Sequence, residues 1–288
     1  MLVIDLKMKV LSTIAEITEY TAELKKAGKT IGLVPTMGAL HEGHLTLMRA
    51  ARADNDVVIA SVFVNPIQFG PNEDYDKYPR MFEADCAKLE SVNVDAVFHP
   101  DPAEMYPQGF CTYVNVDGEF TRKLCGASRP GHFRGVATVV TRLMNLSRAD
   151  RAYFGQKDAQ QVCVIKRFVN DLNIPIQVVM VPINREDSGL ARSSRNAYLS
   201  DTEKQQALCL SRSLRKAEAA YAGGEKNVAA LLKIVRDELA AEPAADVEYV
   251  ELYDFPTLEP IETVEKESLM AMAVRIGKTR LIDNIIIG

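Results

Sequence analysis

No apolar run in this 288-residue chain approaches the roughly 20 residues that a bilayer-spanning helix needs. A long basic run is missing too. With 34 Lys and Arg against 39 Asp and Glu, the net charge of -5 argues against a general nucleic-acid binder, which needs clustered cations to displace counterions. The Walker A pattern, Gly-x-Gly-x-x-Gly and Gly-x-Ser-x-Gly are all absent, which disfavours P-loop hydrolysis, dinucleotide-dependent redox chemistry and α/β-hydrolase chemistry. The five cysteines, Cys86, Cys111, Cys125, Cys163 and Cys209, never fall at Cys-x-x-Cys spacing. The opening Met1-Leu2-Val3-Ile4-Asp5-Leu6-Lys7 has neither a basic n-region nor a long apolar h-region. The expectation is a cytoplasmic protein with reduced cysteines that acts on small molecules, without a membrane or nucleic-acid partner.

What is present is an ordinary globular composition, 47% hydrophobic and 25% charged, long enough for one large domain or two modest ones. A capping box, Thr13-Ile14-Ala15-Glu16, opens a helix that Gly28 stops. Strands are then expected at 30–34, 57–64, 96–99, 113–116, 152–154 and 176–181, with helices after 41, over 81–91, through Val136 to Leu146 and over 158–172. This alternation predicts an α/β fold, a Rossmann-like parallel sheet with helices on both faces. Beyond about residue 185 the rhythm changes. A second capping box, Ser200-Asp201-Thr202-Glu203, opens a long helix; a further helix and three strand-like segments follow. The expected division is therefore 1–184, a Rossmann-like domain, and 185–288, a small α+β domain acting as a lid.

The most informative segment is Pro35-Thr36-Met37-Gly38-Ala39-Leu40-His41-Glu42-Gly43-His44, which joins a strand to a helix start. The unpaired N–H groups and positive dipole end of a helix N-terminus attract anions, and residues three apart share a face. The pair thus suits a nucleotide. An uncommitted helix start and a pair of metal ligands are the competing readings, although His99 and His132 are the only further histidines and zinc wants a fuller ligand set.

Other polar clusters also follow predicted strands: Asn65-Pro66-Ile67-Gln68, Gly155-Gln156-Lys157-Asp158 and the stretch from Arg185 to Arg195. Open parallel sheets bind ligands at the carboxyl ends of their strands, so these loops are expected to serve one crevice. Gly155 permits close backbone approach, Lys157 supplies a cation for phosphate and Asp158 a carboxylate for ribose hydroxyls. Ser193, Ser194 and Arg195 combine hydroxyl donors with a guanidinium fork. Gln68 and Gln161 offer neutral amides to a small polar acid. Gly131-His132-Phe133-Arg134-Gly135 orients a ligand or forms the turn before a helix.

Taken together and in order, Pro35 to His44, Phe63 to Phe69, Tyr78-Pro79-Arg80, Arg129 to Gly135, Tyr153 to Asp158 and Ser193 to Asn196 resemble the pantothenate synthetase family. That family lies in the His-x-Gly-His nucleotidyltransferase group, related in fold to class I aminoacyl-tRNA synthetases. The resemblance implies joining of pantoate to β-alanine with release of AMP and pyrophosphate from ATP, and a requirement for Mg²⁺. It implies that His41 and His44 stabilise charge as the pantoate carboxylate attacks the α-phosphorus, and that Lys157, Ser193, Ser194 and Arg195 hold the phosphates. On this resemblance His41, His44, Lys157 and Arg195 are expected to form the catalytic set. Gly155 and Asp158 are assigned to the ribose, and Gln68, Gln161 and Asn65 to pantoate, with Met37 lining the same pocket beside ATP. Asp85 is a weak magnesium candidate. A homodimer is implied, for which the segment Tyr113 to Phe120 would supply an interface strand. Three positions depart from the family pattern: Gln156 stands where Glu is usual, Arg192 where an apolar residue is, and Arg142 where lysine is frequent.

Overall fold

The computed structural model describes residues 8–71 and 73–288, so the reading of Met1 to Lys7 lies outside the described residues. In chain order the elements are β1 (Lys9–Leu11), α1 (Ile14–Lys26), β2 (Ile31–Thr36), α2 (Glu42–Asp54), β3 (Val57–Val62), α3 (Phe82–Ser91), β4 (Ala96–Phe98), α4 (Pro102–Met105) and α5 (Leu124–Ser128). There follow α6 (His132–Ser147), β5 (Arg151–Gly155), α7 (Ala159–Asp171), β6 (Gln177–Val181), α8 (Asp201–Ala222), α9 (Val228–Ala240), β7 (Ala245–Asp254), β8 (Ser268–Ile276) and β9 (Thr279–Ile287). Among the described residues no helix is long and apolar enough to cross a membrane.

The chain forms two compact units. The first comprises the chain up to Asp117, Arg129–Gly155 and Val164–Val181; the second comprises Gly118–Ser128, Gln156–Cys163 and Pro182–Gly288. The boundary thus falls three residues before the expected 184/185, and two short segments from the middle of the sequence go with the second unit. Their attachment is local. Gln160, buried in the first turn of α7, donates its amide to the carbonyls of Phe120 and Lys123 at 2.8 and 2.7 Å, and Lys123 Nζ donates to Leu258 O at 2.7 Å.

In the first unit six parallel strands lie in the order β1-β4-β3-β2-β5-β6. The α/β expectation is met. Val34, Val58, Ala60, Val97 and Tyr153 pack with Leu45, Met48, Ala51 and Leu89 of α2 and α3. The intervening Leu33, Ile59 and Phe98 are equally buried, and α1 and α6 pack against each other. Burial on both faces explains why these strands read as continuous apolar runs without alternation. The order reverses between β2 and β5, which makes their carboxyl ends a topological switch point.

Two local readings need correction. The expected strand at Tyr113 to Val116 is not formed, and the segment belongs to no sheet; Val114 N donates to Thr138 Oγ1 at 3.0 Å, and the Arg134 guanidinium sits 3.9 Å over the Tyr113 ring. Alternation of apolar residues does not by itself supply a sheet neighbour. Conversely β1 is an edge strand of three residues with Val10 half exposed, too short to show a period.

In the second unit β7, β8 and β9 form an antiparallel sheet in sequence order. Leu210, Leu214, Leu231 and Val235 of α8 and α9 pack with Val250, Met270, Met272 and Leu281 of the strands. Both expected capping boxes are formed, Thr13 with Glu16 and Ser200 with Glu203.

Candidate active site

The strand-to-helix junction after β2 is built from its own imidazoles. His41 occupies the N-cap of α2, a position where Ser, Thr, Asp or Asn normally accepts the orphan amides. Here ring nitrogens do so: His41 Nδ1 accepts from Gly43 N at 3.1 Å and His44 Nδ1 accepts from His41 N at 3.3 Å. The rings pack with centroids 4.1 Å apart. An Nδ1 that accepts carries no proton, so each neutral ring bears its N–H on Nε2. The helix start thereby gains two side-chain donors beside its own dipole.

The preceding turn is strained and held from below. Gly38 and Ala39 both have positive φ, +83° and +49°, a conformation costly for alanine. Asp85 of α3, with no exposed surface, accepts from Ala39 N at 2.9 Å and Leu40 N at 2.8 Å, one amide on each oxygen. One turn further, Lys88 Nζ donates to Leu40 O at 2.5 Å. Asp85, considered above for magnesium, therefore anchors the histidine turn. Its burial and its two amide bonds fix it against that turn.

After β3, the short 3-10 turn over 66–68 presents Asn65 and Gln68, both buried. Gln68 Nε2 donates to Met37 Sδ at 3.0 Å, Asn65 Nδ2 donates to Gln68 Oε1 at 2.9 Å, and the Tyr106 hydroxyl donates to Asn65 Oδ1 at 2.7 Å. Three expected site residues thus form one hydrogen-bonded group. The first turn of α6 cradles them. Asn65 Nδ2 also reaches Gly135 O at 3.1 Å, and His132 Nδ1 lies 2.9 Å from Gln68 O. A Cβ on Gly135 would stand 2.3 Å from Ile67 O. The Gly-His-Phe-Arg-Gly stretch therefore shapes this turn as well as starting the helix.

Arg129 completes the network, with its guanidinium 3.0 Å from His132 Nε2 and forked on Glu73 at 2.6 and 2.8 Å. Burial alone would raise the Glu73 carboxyl, but the Arg129 fork overrides it and holds the group at about 2, against an ordinary 4.5. Since the folded value is depressed, the stabilisation is complete above about pH 4.5 and is lost as pH falls toward 2. Glu73→Gln is expected to flatten the acid side of the stability profile by roughly 1 to 3 kcal/mol. Urea unfolding at stepped pH checks this; an unchanged acid slope would refute it.

Gly155 ends β5 beside the switch point, and an added Cβ there would meet nothing within 4 Å. No packing contact of the chain therefore demands a glycine here. The next residues belong to the second unit, where Lys157 Nζ lies 3.3 Å from Asp158 Oδ2 and Gln161 sits half-buried on the first turn of α7. Ser193 Oγ accepts from Arg195 N at 3.2 Å, capping the 3-10 turn Ser194–Tyr198, and keeps its own O–H as a donor. Asn196 ties that turn to Glu186 and to Ala191 O. Met37, His41, His44, Asn65, Gln68 and Gly155 are therefore furnished by the first unit, and Lys157, Asp158, Gln161, Ser193, Ser194 and Arg195 by the second. The departures differ in setting: the Arg142 guanidinium lies 5.3 Å over the Phe110 ring, whereas Gln156 Nε2 donates to Asn284 Oδ1 at 3.2 Å. Tyr106 and Asn284 gave no signal in the sequence, standing 41 and 128 residues from their partners.

An imidazole-capped helix start at the switch point of an open parallel sheet marks an α/β protein of the nucleotide-binding class. Residues 9–286 match the pantoate-beta-alanine ligase family. A pantothenate synthetase of Pelotomaculum thermopropionicum is 55% identical over 281 residues, covering 98% of this chain and 99% of that protein. The crystal structure of pantothenate synthetase from Thermus thermophilus superposes with a TM-score of 0.92 at 46% identity, covering 96% of this chain and 99% of that one. Pantoate-beta-alanine ligase from Francisella tularensis, complexed with beta-gamma ATP and beta-alanine, gives a TM-score of 0.80 at 35% identity, with 97% of each chain covered. This chain belongs to the pantoate–β-alanine ligase family.

Proposed function

We propose that this chain condenses pantoate with β-alanine at the expense of ATP, through an enzyme-bound pantoyl adenylate, releasing AMP and pyrophosphate. The observation that carries the reading is the imidazole-capped start of α2, whose two Nε2–H donors suit the oxygens of a phosphate under attack. A relative bound to an ATP compound and β-alanine supports the substrate pair. In this reading a pantoate carboxylate oxygen attacks the α-phosphorus and pyrophosphate leaves, while His41 and His44 donate to the developing charge. Lys157, Ser193, Ser194 and Arg195 hold the phosphates, and Gly155 and Asp158 the ribose. Gln68, Asn65 and Gln161 orient pantoate with Met37 beside it. The β-alanine amine then attacks the activated carbonyl carbon, and AMP departs with the bridging oxygen. Adenylation is needed because a free carboxylate is a poor acyl donor.

Mg²⁺ belongs to the reading as an ion carried on the triphosphate, where it neutralises phosphate charge; such an ion needs few protein ligands, which suits a chain whose described residues form no cage. The cytoplasm is the proposed compartment, suited to five cysteines that form no disulfide. A homodimer is proposed as well, with the segment Tyr113 to Phe120, which belongs to no sheet among the described residues, as its interface strand. A monomeric mass by light scattering at micromolar concentration would overturn that part.

The order of bonds is the test. With carboxyl-¹⁸O pantoate, ATP, Mg²⁺ and β-alanine, the expected products are labelled AMP and unlabelled pyrophosphate, read by mass spectrometry. ADP with phosphate would instead indicate an acyl-phosphate ligase, and a stable adenylylated product a nucleotidyltransferase; either overturns the proposal.

A further inference from the structure

In the second unit Gln156–Asp158 and the 3-10 turn Ser194–Tyr198, which carry residues assigned above to ATP, both neighbour the same strand, β9. This strand closes the three-stranded sheet, so one of its edges lacks a strand partner. The edge carries two adjacent buried polar residues, Asp283 at 2% exposure and Asn284 at 3%. Buried polar groups require hydrogen bonds; those of Asn284 go to the turn at Lys157, and those of Asp283 to Arg185 and to the Asn284 backbone.

Asn284 Nδ2 donates to the carbonyls of Gln156 and Lys157, each at 3.0 Å, and its Oδ1 accepts from Gln156 Nε2 at 3.2 Å. One amide thus fixes the backbone on both sides of the Lys157 α-carbon. The third bond determines which way the amide faces. A glutamate at 156 would have no donor for Oδ1, so this pairing requires the neutral amide of Gln156. Asp283 accepts the Asn284 backbone N–H at 2.8 Å and a two-pronged Arg185 guanidinium at 2.7 and 2.9 Å, and Arg185 also donates to Gly189 O on the loop that leads to Ser193.

We infer that Asn284, paired with Gln156, is a positioning residue for the ATP-binding turn at Lys157, which makes the edge of β9 an anchor of the phosphate-holding groups. This rests on the assignment of Lys157 to the ATP phosphates. Neither Asn284 nor Gln156 need touch a substrate. Their effect passes through the direction of the Lys157 ammonium, and misplacing such a group by about 1 Å costs up to about 100-fold.

The test uses the full chain and steady-state kinetics with each substrate varied in turn. Asn284→Ala is expected to raise the KM for ATP and lower kcat/KM for ATP by about 10- to 100-fold, with the KM for pantoate moving less than about twofold. Gln156→Ala, which removes one bond at a half-buried position, is expected to give a smaller change of the same kind and to add little in the Asn284→Ala background, because both act through one turn. Equal weakening of ATP and pantoate use would mean a general structural role and overturns the inference, as does unchanged ATP use. If Asn284→Ala does not fold, Gln156→Ala and Gln156→Glu carry the test, and normal ATP kinetics in both overturns it. Lys157→Ala separates the two levels. If that variant uses ATP normally, the assignment of Lys157 has failed; if it loses ATP use while Asn284→Ala does not, the assignment stands and the role of Asn284 falls.

Discussion

Replacing His41 or His44 by alanine is expected to slow adenylate formation by about 10²- to 10³-fold, on the order of 2 to 4 kcal/mol in the barrier, typical of removing one preorganised donor. ATP binding should change far less, because a group that meets charge as it develops contributes more in the transition state than in the ground state. The geometry complicates the alanine variants. His41 Nδ1 caps Gly43 N, so His41→Ala also removes a helix cap, which costs about 1 kcal/mol. His41→Asn resolves this, since asparagine is a preferred cap but lacks the Nε2–H. Single-turnover quench experiments with labelled ATP should find His41→Asn folded normally and nearly as slow in adenylation as His41→Ala. Near-wild-type adenylation in both histidine positions would remove them from the chemistry.

The second large effect is expected at a position with no functional group. Alanine is a better helix former than glycine by about 1 kcal/mol, so Gly135→Ala would stabilise α6 if propensity decided. Contact decides instead. The added Cβ would lie 2.3 Å from Ile67 O and 2.5 Å from Gln68 Cα, both backbone atoms of a turn tied to the same helix by Asn65 and His132. Backbone held on two sides cannot yield as the tip of a flexible side chain would. The expected loss is about 3 kcal/mol, the upper end for overpacking, with a raised KM for pantoate because Gln68 moves with its turn. Denaturant unfolding and separate pantoate and ATP titrations check both parts. A variant as stable as the parent would show that the turn is not held against α6.

Much of this was legible in the chain before any coordinates. The parallel sheet announced itself through runs such as Val57 to Val62, which are apolar because both faces are covered, and the second unit through its Ser200 capping box. The histidine pair was legible because both residues lie within one turn of a helix start. What stayed hidden was cooperation over distance. Asp85 reads as a weak magnesium candidate, yet it is fully buried under a turn 45 residues earlier, and Asn284 gave no signal because its partner Gln156 stands 128 residues away. Tyr113 to Val116 misled for a related reason, since alternation says nothing of what lies alongside, and no strand pairs with it among the described residues.

The interleaving of the two units limits how this enzyme can be recombined with its relatives. Because the chain changes unit at 117/118, 128/129, 155/156, 163/164 and 181/182, no single crossover separates them. A chimera spliced at residue 182 would combine one parent's C-terminal sheet with the other parent's segments 118–128 and 156–163. It would therefore mismatch the contacts of Lys123 with Leu258 and of Asn284 with Gln156 wherever the parents differ. Exchange of the second unit as a working part requires three inserts, two of them only 11 and 8 residues long.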